Sequence, residues 1–295
     1  MKPGRRLIVD TDAKNEADDQ YAIVHALLSP SLDVRGLVAA HFGTRRGDRS
    51  MLESREEIDL LLRLMDRHDV VVANGAEAAM PDEQTPADSE GARLIIAESL
   101  LATPDSPLYV AFLGPLTDMA AAILIDPELV HRPVVVIWIG GSGYDGITHE
   151  GRMPIEFNLS NDIASANVVY DSGIEVWQVP SNVYSQVSVG YPELDARVAV
   201  HGELGAYLVQ QLKDFNEAYV PTPIESRSLG DSPAIGLALY PRGGTFRLRP
   251  SPRFDAEGQY VPGAGHPIKV AEAVDVRYLL EDFFHKLAAF AAGRE

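Results

Sequence analysis

Ile8-Val9-Asp10-Thr11-Asp12-Ala13-Lys14-Asn15-Glu16-Ala17-Asp18-Asp19-Gln20 sets five acidic side chains directly behind an apolar strand. Leu7-Ile8-Val9 reads as that strand, and residues 18–28, rich in Ala, Ile, Val and Leu, read as a helix. The acids therefore sit at a strand-to-helix junction, which in α/β folds lies at the carboxyl edge of the sheet, where ligands bind. Two readings compete. In one, Asn15 caps the helix while Glu16, Asp18 and Asp19 complement its positive end. That reading leaves Asp10 and Asp12 unexplained. Carboxylates this close raise each other's pKa unless a cation or a shared proton compensates. The segment offers only oxygen ligands, which favours a hard divalent cation, Ca²⁺ or Mg²⁺.

With 295 residues the chain is long enough to bury a sizeable core. At 46% hydrophobic and 23% charged it has the composition of an ordinary globular protein. A formal charge of −18, from 43 acidic against 25 basic residues, argues against a nucleic-acid polymer as partner, because the phosphate backbone rewards clustered Lys and Arg. The absence of cysteine removes disulfides, thiolate metal sites and cysteine nucleophiles together, without fixing the compartment. Behind Arg5 and Arg6 only three apolar residues precede the acids, too short a run for a signal-peptide core. No stretch approaches the roughly 20 apolar residues needed to span a bilayer. A cytoplasmic protein with no membrane partner is expected.

Outward from the acid turn, strands and helices alternate. Residues 33–40 read as a strand, 41–49 as a polar loop able to reach the same rim, and 50–67 as a helix with Leu52, Ile58, Leu61, Leu62 and Met65 at helical spacing. Strand 70–73, a surface loop at 80–91 and a helix at 92–101 follow. The apolar strand 108–113 runs into Gly114-Pro115-Leu116-Thr117-Asp118, whose last two residues open a helix through 125. Residues 134–139 form a buried strand cut off by Gly140-Gly141, and 143–153 an irregular loop. A helix at 163–172 and a strand at 174–179 complete an alternation that predicts an α/β fold, a mostly parallel central sheet with helices on both faces. Beyond Pro180 the pattern turns helical, with 201–217 the longest segment and 233–239 an apolar helix. The Pro-rich stretch 245–274 suggests a small β addition, a hairpin or ribbon, and 276–292 an amphipathic closing helix. Trp138 and Trp177 lie in strand patterns and read as core. No repeat and no linker interrupts the chain, so residues 1–295 read as one domain.

Four ordered motifs then belong together. Asp10-Thr11-Asp12 with Asn15-Glu16-Ala17-Asp18-Asp19, Phe112 to Asp118, Glu156-Phe157-Asn158 and Gly230-Asp231-Ser232-Pro233 resemble the inosine-uridine nucleoside hydrolase family in order and approximate spacing, and Val274-Asp275-Val276 extends the likeness to the last helix. The resemblance implies one Ca²⁺ per subunit and hydrolysis of the N-glycosidic bond of a small-molecule ribonucleoside, on a nucleoside hydrolase-like α/β fold. It assigns Asp12, Asp19 and Asp231 as side-chain metal ligands and the carbonyl of Leu113 as a backbone ligand. Asp12 is also implied as the base that deprotonates water, Asp18, Glu156 and Asn158 as ribose contacts, and Asp10 and Asn15 as supporting residues. A homodimer or homotetramer is implied as well.

Departures from the family pattern are equally specific. The acid run is two residues longer than the usual form, because residues 13–17 replace a Pro-Gly turn; the longer NExDD form resembles a recognised variant. The histidine that often precedes the last metal-binding aspartate, assigned in some members to protonating the leaving base, is Gly230 here. His41, His149 and Tyr184 lie in or near loops able to reach a base pocket, though each also reads as an ordinary loop residue. Two asparagines that usually contact ribose are matched by Gly43 and Glu150. Two alternatives stand beside the hydrolase. One is a ribose- or nucleoside-binding relative with little turnover, and the other a haloacid-dehalogenase-type phosphohydrolase using Asp10 and Asp12.

Overall fold

A computed structural model describes residues 4–147 and 155–293. The first half builds the parallel sheet: β1 (Arg5–Thr11), α1 (Asp19–Leu27), β2 (Leu32–Ala39), α2 (Ser50–Met65), β3 (Val72–Asn74), α3 (Glu90–Ser99), β4 (Leu108–Phe112), α4 (Thr117–Ile125) and β5 (Val134–Ile139). Next come α5 (Phe157–Asn161), α6 (Ile163–Asp171), β6 (Glu175–Val179), α7 (Ser181–Tyr184), β7 (Ser188–Gly190), α8 (Tyr191–Arg197) and α9 (Gly202–Tyr219). The chain ends with β8 (Ser226–Ser228), α10 (Ser232–Leu239), β9 (Gly244–Phe254), β10 (Tyr260–Val274) and α11 (Val276–Ala292).

Eight strands form one sheet in the order β3-β2-β1-β4-β5-β6-β10-β9, parallel except for the antiparallel β10–β9 pair. Its strands are apolar on both faces because both are covered. Leu7 and Val9 of β1 pack with α1, α2, α9, α10 and α11, whereas Ile8 packs with α3, α4 and α6. β5 repeats the division: Val135, Ile137 and Ile139 face one core, Val134, Val136 and Trp138 the other. Trp138 is fully buried and Trp177 nearly so, as the strand patterns indicated.

The alternation expected from the sequence is present, and the differences have physical causes. Leu52, placed by spacing with the apolar face of α2, is exposed, because the buried face of that helix runs through Met51, Ser54, Ile58, Leu61, Leu62 and Met65 and Leu52 lies off it. The Pro-rich stretch is indeed a hairpin, but it extends the main sheet instead of standing apart, β10 pairing parallel to β6. Its prolines oppose one another (Pro262 with Pro252, Pro267 with Pro250) around a register shift, the edge and bulge positions where a missing N–H is tolerated. The small antiparallel pair β7–β8 gave no periodic signal because each strand has 3 residues. Glu156-Phe157-Asn158 lies at the start of the short helix α5, with Glu156 at its N-cap. Among the described residues no helix is long and apolar enough to cross a membrane.

Candidate active site

The strand order reverses between β1 and β4: from β1 the chain winds outward to β2 and β3, then returns to β4 on the other side. The carboxyl ends of those two strands bound the crevice in which open α/β sheets bind ligands. The acid turn fills it. Beyond β1 the backbone carbonyl of Asp12 accepts the N–H of Asn15 at 2.8 Å, turning the chain so that Asp18 and Asp19 enter α1 facing back toward β1. Thr11 Oγ1 donates to Asp19 Oδ1 at 2.5 Å.

The capping reading of the cluster does not hold for Asn15. The N-cap of α1 is Asp18, three residues further on, and Asn15 instead gives its carbonyl to Arg46 Nη1 at 2.6 Å. Asp18 and Asp231 occupy the N-cap positions of α1 and α10, yet neither side chain makes a cap hydrogen bond. Both carboxylates are therefore turned away from their own helices. Asp18 Oδ2 accepts the N–H of Gly230 at 2.8 Å, which ties the two helix starts together.

The resulting pocket is lined by Asp12, Asn15, Glu16, Asp18, Asp19, Leu113, Ile139, Glu156, Phe157, Asn158, Tyr184, Gly230 and Asp231. Eight of the nine residues singled out from the sequence are among them; Asp10 is not. Asp18, Asp19 and Asp231 each present an oxygen within 4.8 Å of the others, so these three carboxylates can hold a metal ion. Asp12 lies beside them with Oδ2 buried and, among the described residues, without a hydrogen-bond partner. The converging trio thus includes Asp18, which the resemblance gives to ribose, in place of Asp12.

Burial dominates the electrostatics. Desolvation, then repulsion from Asp19 and Glu16, pushes the Asp12 carboxyl well above the usual range. Desolvation, then Asp18 and Asp19, does the same to Asp231. Asp18 is pushed up to about 7 by desolvation and Glu16, against the nearby Arg227 cation. Asp19 is raised to about 6 by desolvation, held back by the hydrogen bonds from Thr11 and Asp231. Four buried carboxyls that resist ionisation together, one with an orphaned oxygen, are a donor set suited to a hard cation.

On the opposite wall Glu156 caps α5. It accepts the N–H groups of Gly141 (2.8 Å), Asn158 (3.2 Å) and Leu159 (2.9 Å) and the Tyr184 hydroxyl (2.9 Å). Asn158 Nδ2 donates to the carbonyls of Leu113 (2.6 Å) and Ile139 (2.9 Å), leaving the Leu113 oxygen its second lone pair. Gly114 lies against Asp12, with a Cβ position only 3.0 Å from its Cγ, and its carbonyl is fixed by Trp138 Nε1 at 3.1 Å.

Asp10 faces the other side of β1. Among the described residues it accepts no hydrogen bond, and it lies against Asp118, a carboxyl raised to about 6 by burial although Ser89 and the Ala76 N–H bind it. Two such carboxyls in contact require a shared proton. This placement deprives the phosphohydrolase alternative of its nucleophile. His41 is buried behind the pocket against Thr117 Oγ1 (2.9 Å), its imidazole held neutral by desolvation with a pKa lowered to about 4. His149 and Glu150 lie outside the described residues. Gly43 does not line the pocket. Sequence reasoning missed Arg227, which pairs with Glu16 from 211 positions away, lies over the Phe215 ring and binds Asn216. No local pattern marks it.

The family model described as inosine-uridine preferring nucleoside hydrolase matches residues 7–281. The chain belongs to that family. Nucleoside hydrolases cleave N-glycosyl bonds, and the chain is accordingly a hydrolase of that class. It is 26% identical over 262 residues to a probable uridine nucleosidase of Arabidopsis thaliana, covering 80% of this chain and 78% of that one. To a pyrimidine-specific ribonucleoside hydrolase of Citrobacter koseri it is 28% identical over 221 residues, 67% of each. Among solved structures, a purine-preferring ribonucleoside hydrolase from Gardnerella vaginalis superposes with a TM-score of 0.77 at 22% identity, over 97% of this chain and 99% of that one. In the nucleoside hydrolase fold, then, the acid turn is the edge of the sheet at which the pocket opens.

Proposed function

We propose that the chain is a Ca²⁺-dependent hydrolase of ribonucleosides or related N-ribosides, releasing ribose and the free base. The observation that carries this reading is the gathering of Asp12, Asp18, Asp19 and Asp231, all buried, at the β1–β4 switch point. Asp12, Asp19 and Asp231 with the Leu113 carbonyl are the proposed ligands, an all-oxygen set that suits calcium. A bound divalent cation supplies positive charge that keeps these carboxylates ionised and acidifies nearby water.

Asp12, whose Oδ2 has no partner among the described residues, accepts a proton from the water that attacks the anomeric carbon. The base departs with the electron pair of the C–N bond, and the surrounding carboxylates stabilise the positive charge that grows on the sugar. Asp18, Glu156 and Asn158 hold ribose hydroxyls, with Asn15 at the rim and Asp10 behind the strand as supports, so that the anomeric carbon meets the water in a fixed geometry. The same reading describes residues 1–295 as one domain and the enzyme as a cytoplasmic homodimer or homotetramer. Reducing-sugar release from inosine, adenosine, uridine and cytidine, in Ca²⁺ and after chelation, tests it. Ribose is expected only with the metal; release undiminished by chelation, or none from any nucleoside, rejects it.

A further inference from the structure

Gly230 has no backbone need to be glycine, since its φ lies outside the left-handed region. The need is spatial. A Cβ at this position would lie 3.0 Å from Cδ2 and 3.6 Å from Cε2 of Tyr184, and 3.2 Å from Asp18 Oδ2. The Tyr184 ring thus occupies the volume into which any side chain at 230 would project.

That ring stands at a junction. Tyr184 borders both the acid-lined pocket and the wide cavity of about 990 Å³ into which it opens. Its hydroxyl donates to Glu156 Oε1 at 2.9 Å, and its carbonyl accepts from Ser228 Oγ at 3.0 Å and from the Val187 N–H at 3.2 Å. The residue is therefore anchored through its backbone carbonyl and its hydroxyl, half-buried, with its ring at the neck between the two spaces. Since its proton is committed to a carboxylate, it is not set to act as an acid.

Resting on the functional reading above, we infer that Tyr184 is the leaving-group contact of this enzyme. Its ring packs on the departing base where the C–N bond breaks, and its hydroxyl fixes Glu156 for the sugar. An aromatic ring against a nucleobase contributes enough that its removal costs about tenfold in affinity. The base contact and the sugar contact separate in one ratio, KM for inosine over the inhibition constant of free ribose, which has no base.

The test measures this ratio for the Ca²⁺-loaded wild type, Tyr184→Phe, Tyr184→Leu and Tyr184→Ala, each checked by thermal unfolding. Tyr184→Phe keeps the ring and is expected to leave the ratio within about twofold, because any loosening of Glu156 affects both numbers alike. Tyr184→Leu and Tyr184→Ala are expected to raise it about tenfold. An unchanged ratio in both, measured with inosine or, where the wild type cleaves only pyrimidine nucleosides, with uridine in its place, overturns the role of Tyr184 alone. A wild type that cleaves no ribonucleoside overturns the functional reading and this inference with it.

Discussion

Protons and a cation compete for the same carboxylates, and the competition sets a pH dependence that can be worked from the site. The Asp18 carboxyl is raised to about 7 and that of Asp19 to about 6, both chiefly by desolvation. A proton on Asp19, one of the three proposed carboxylate ligands, weakens cation binding about 10-fold at pH 5 and about 1.1-fold at pH 7. The apparent affinity is therefore about 10-fold tighter at pH 7 than at pH 5, or ~1.4 kcal/mol, and the raised Asp12 and Asp231 carboxyls act in the same direction. The sign for the metal-free protein follows from proton counts. Between the unfolded carboxylate value and these raised values the folded state binds more protons than the unfolded one, so metal-free stability falls as pH rises from about 4 to 7. Bound cation offsets that fall. For 295 residues, unfolding entropy near 2.1 cal/mol/K per residue converts ~1.4 kcal/mol into a widening of the Tm gap by about 2 °C. Thermal unfolding of metal-free protein with and without a fixed excess of Ca²⁺, at pH 5, 6, 7 and 8, measures the gap directly. A gap of equal size at pH 5 and pH 7 refutes the argument.

Other expectations concern single side chains. Asp12→Asn keeps shape but removes the proton acceptor, and should lower kcat for ribose release about 10²- to 10⁴-fold with an unchanged circular dichroism spectrum. Thr11→Val deletes the hydroxyl that holds Asp19 Oδ1, and is expected to weaken calcium binding about 10-fold by calorimetric titration. Gly114→Ala places a methyl 3.0 Å from the Asp12 carboxyl, and a displacement of a few tenths of an ångström there should lower kcat about 10-fold while Tm moves little.

Local pattern carried most of the sheet, because β1, β4 and β5 are apolar on both faces and each ends in a polar or glycine-bearing turn. The acid turn was legible for a related reason: five acids behind a buried strand demand compensation, whatever the fold. What could not be read was set by distance in the chain. The Arg227–Glu16 pair and the Gly230–Asp18 hydrogen bond join segments more than 200 residues apart and leave no periodic trace. Spacing also could not tell which face of β1 each aspartate takes. Asp10 and Asp12 are two apart, which in a continuing strand would put them on one face. The strand ends at Thr11, so Asp12 turns into the pocket while Asp10 stays beneath it against Asp118. Asn15 looked like a helix cap, but the N-cap of α1 is Asp18, three residues further on.

In the proposed function one hard cation sits among the carboxylates of this turn, held by Asp12, Asp19, Asp231 and the Leu113 carbonyl. Anomalous diffraction from a crystal grown with Ca²⁺ tests it most directly. A single calcium peak per subunit is expected within about 2.3–2.6 Å of an oxygen from each of those four residues. A peak bonded to Asp18 with Asp12 out of reach, or no peak in the pocket, would contradict it.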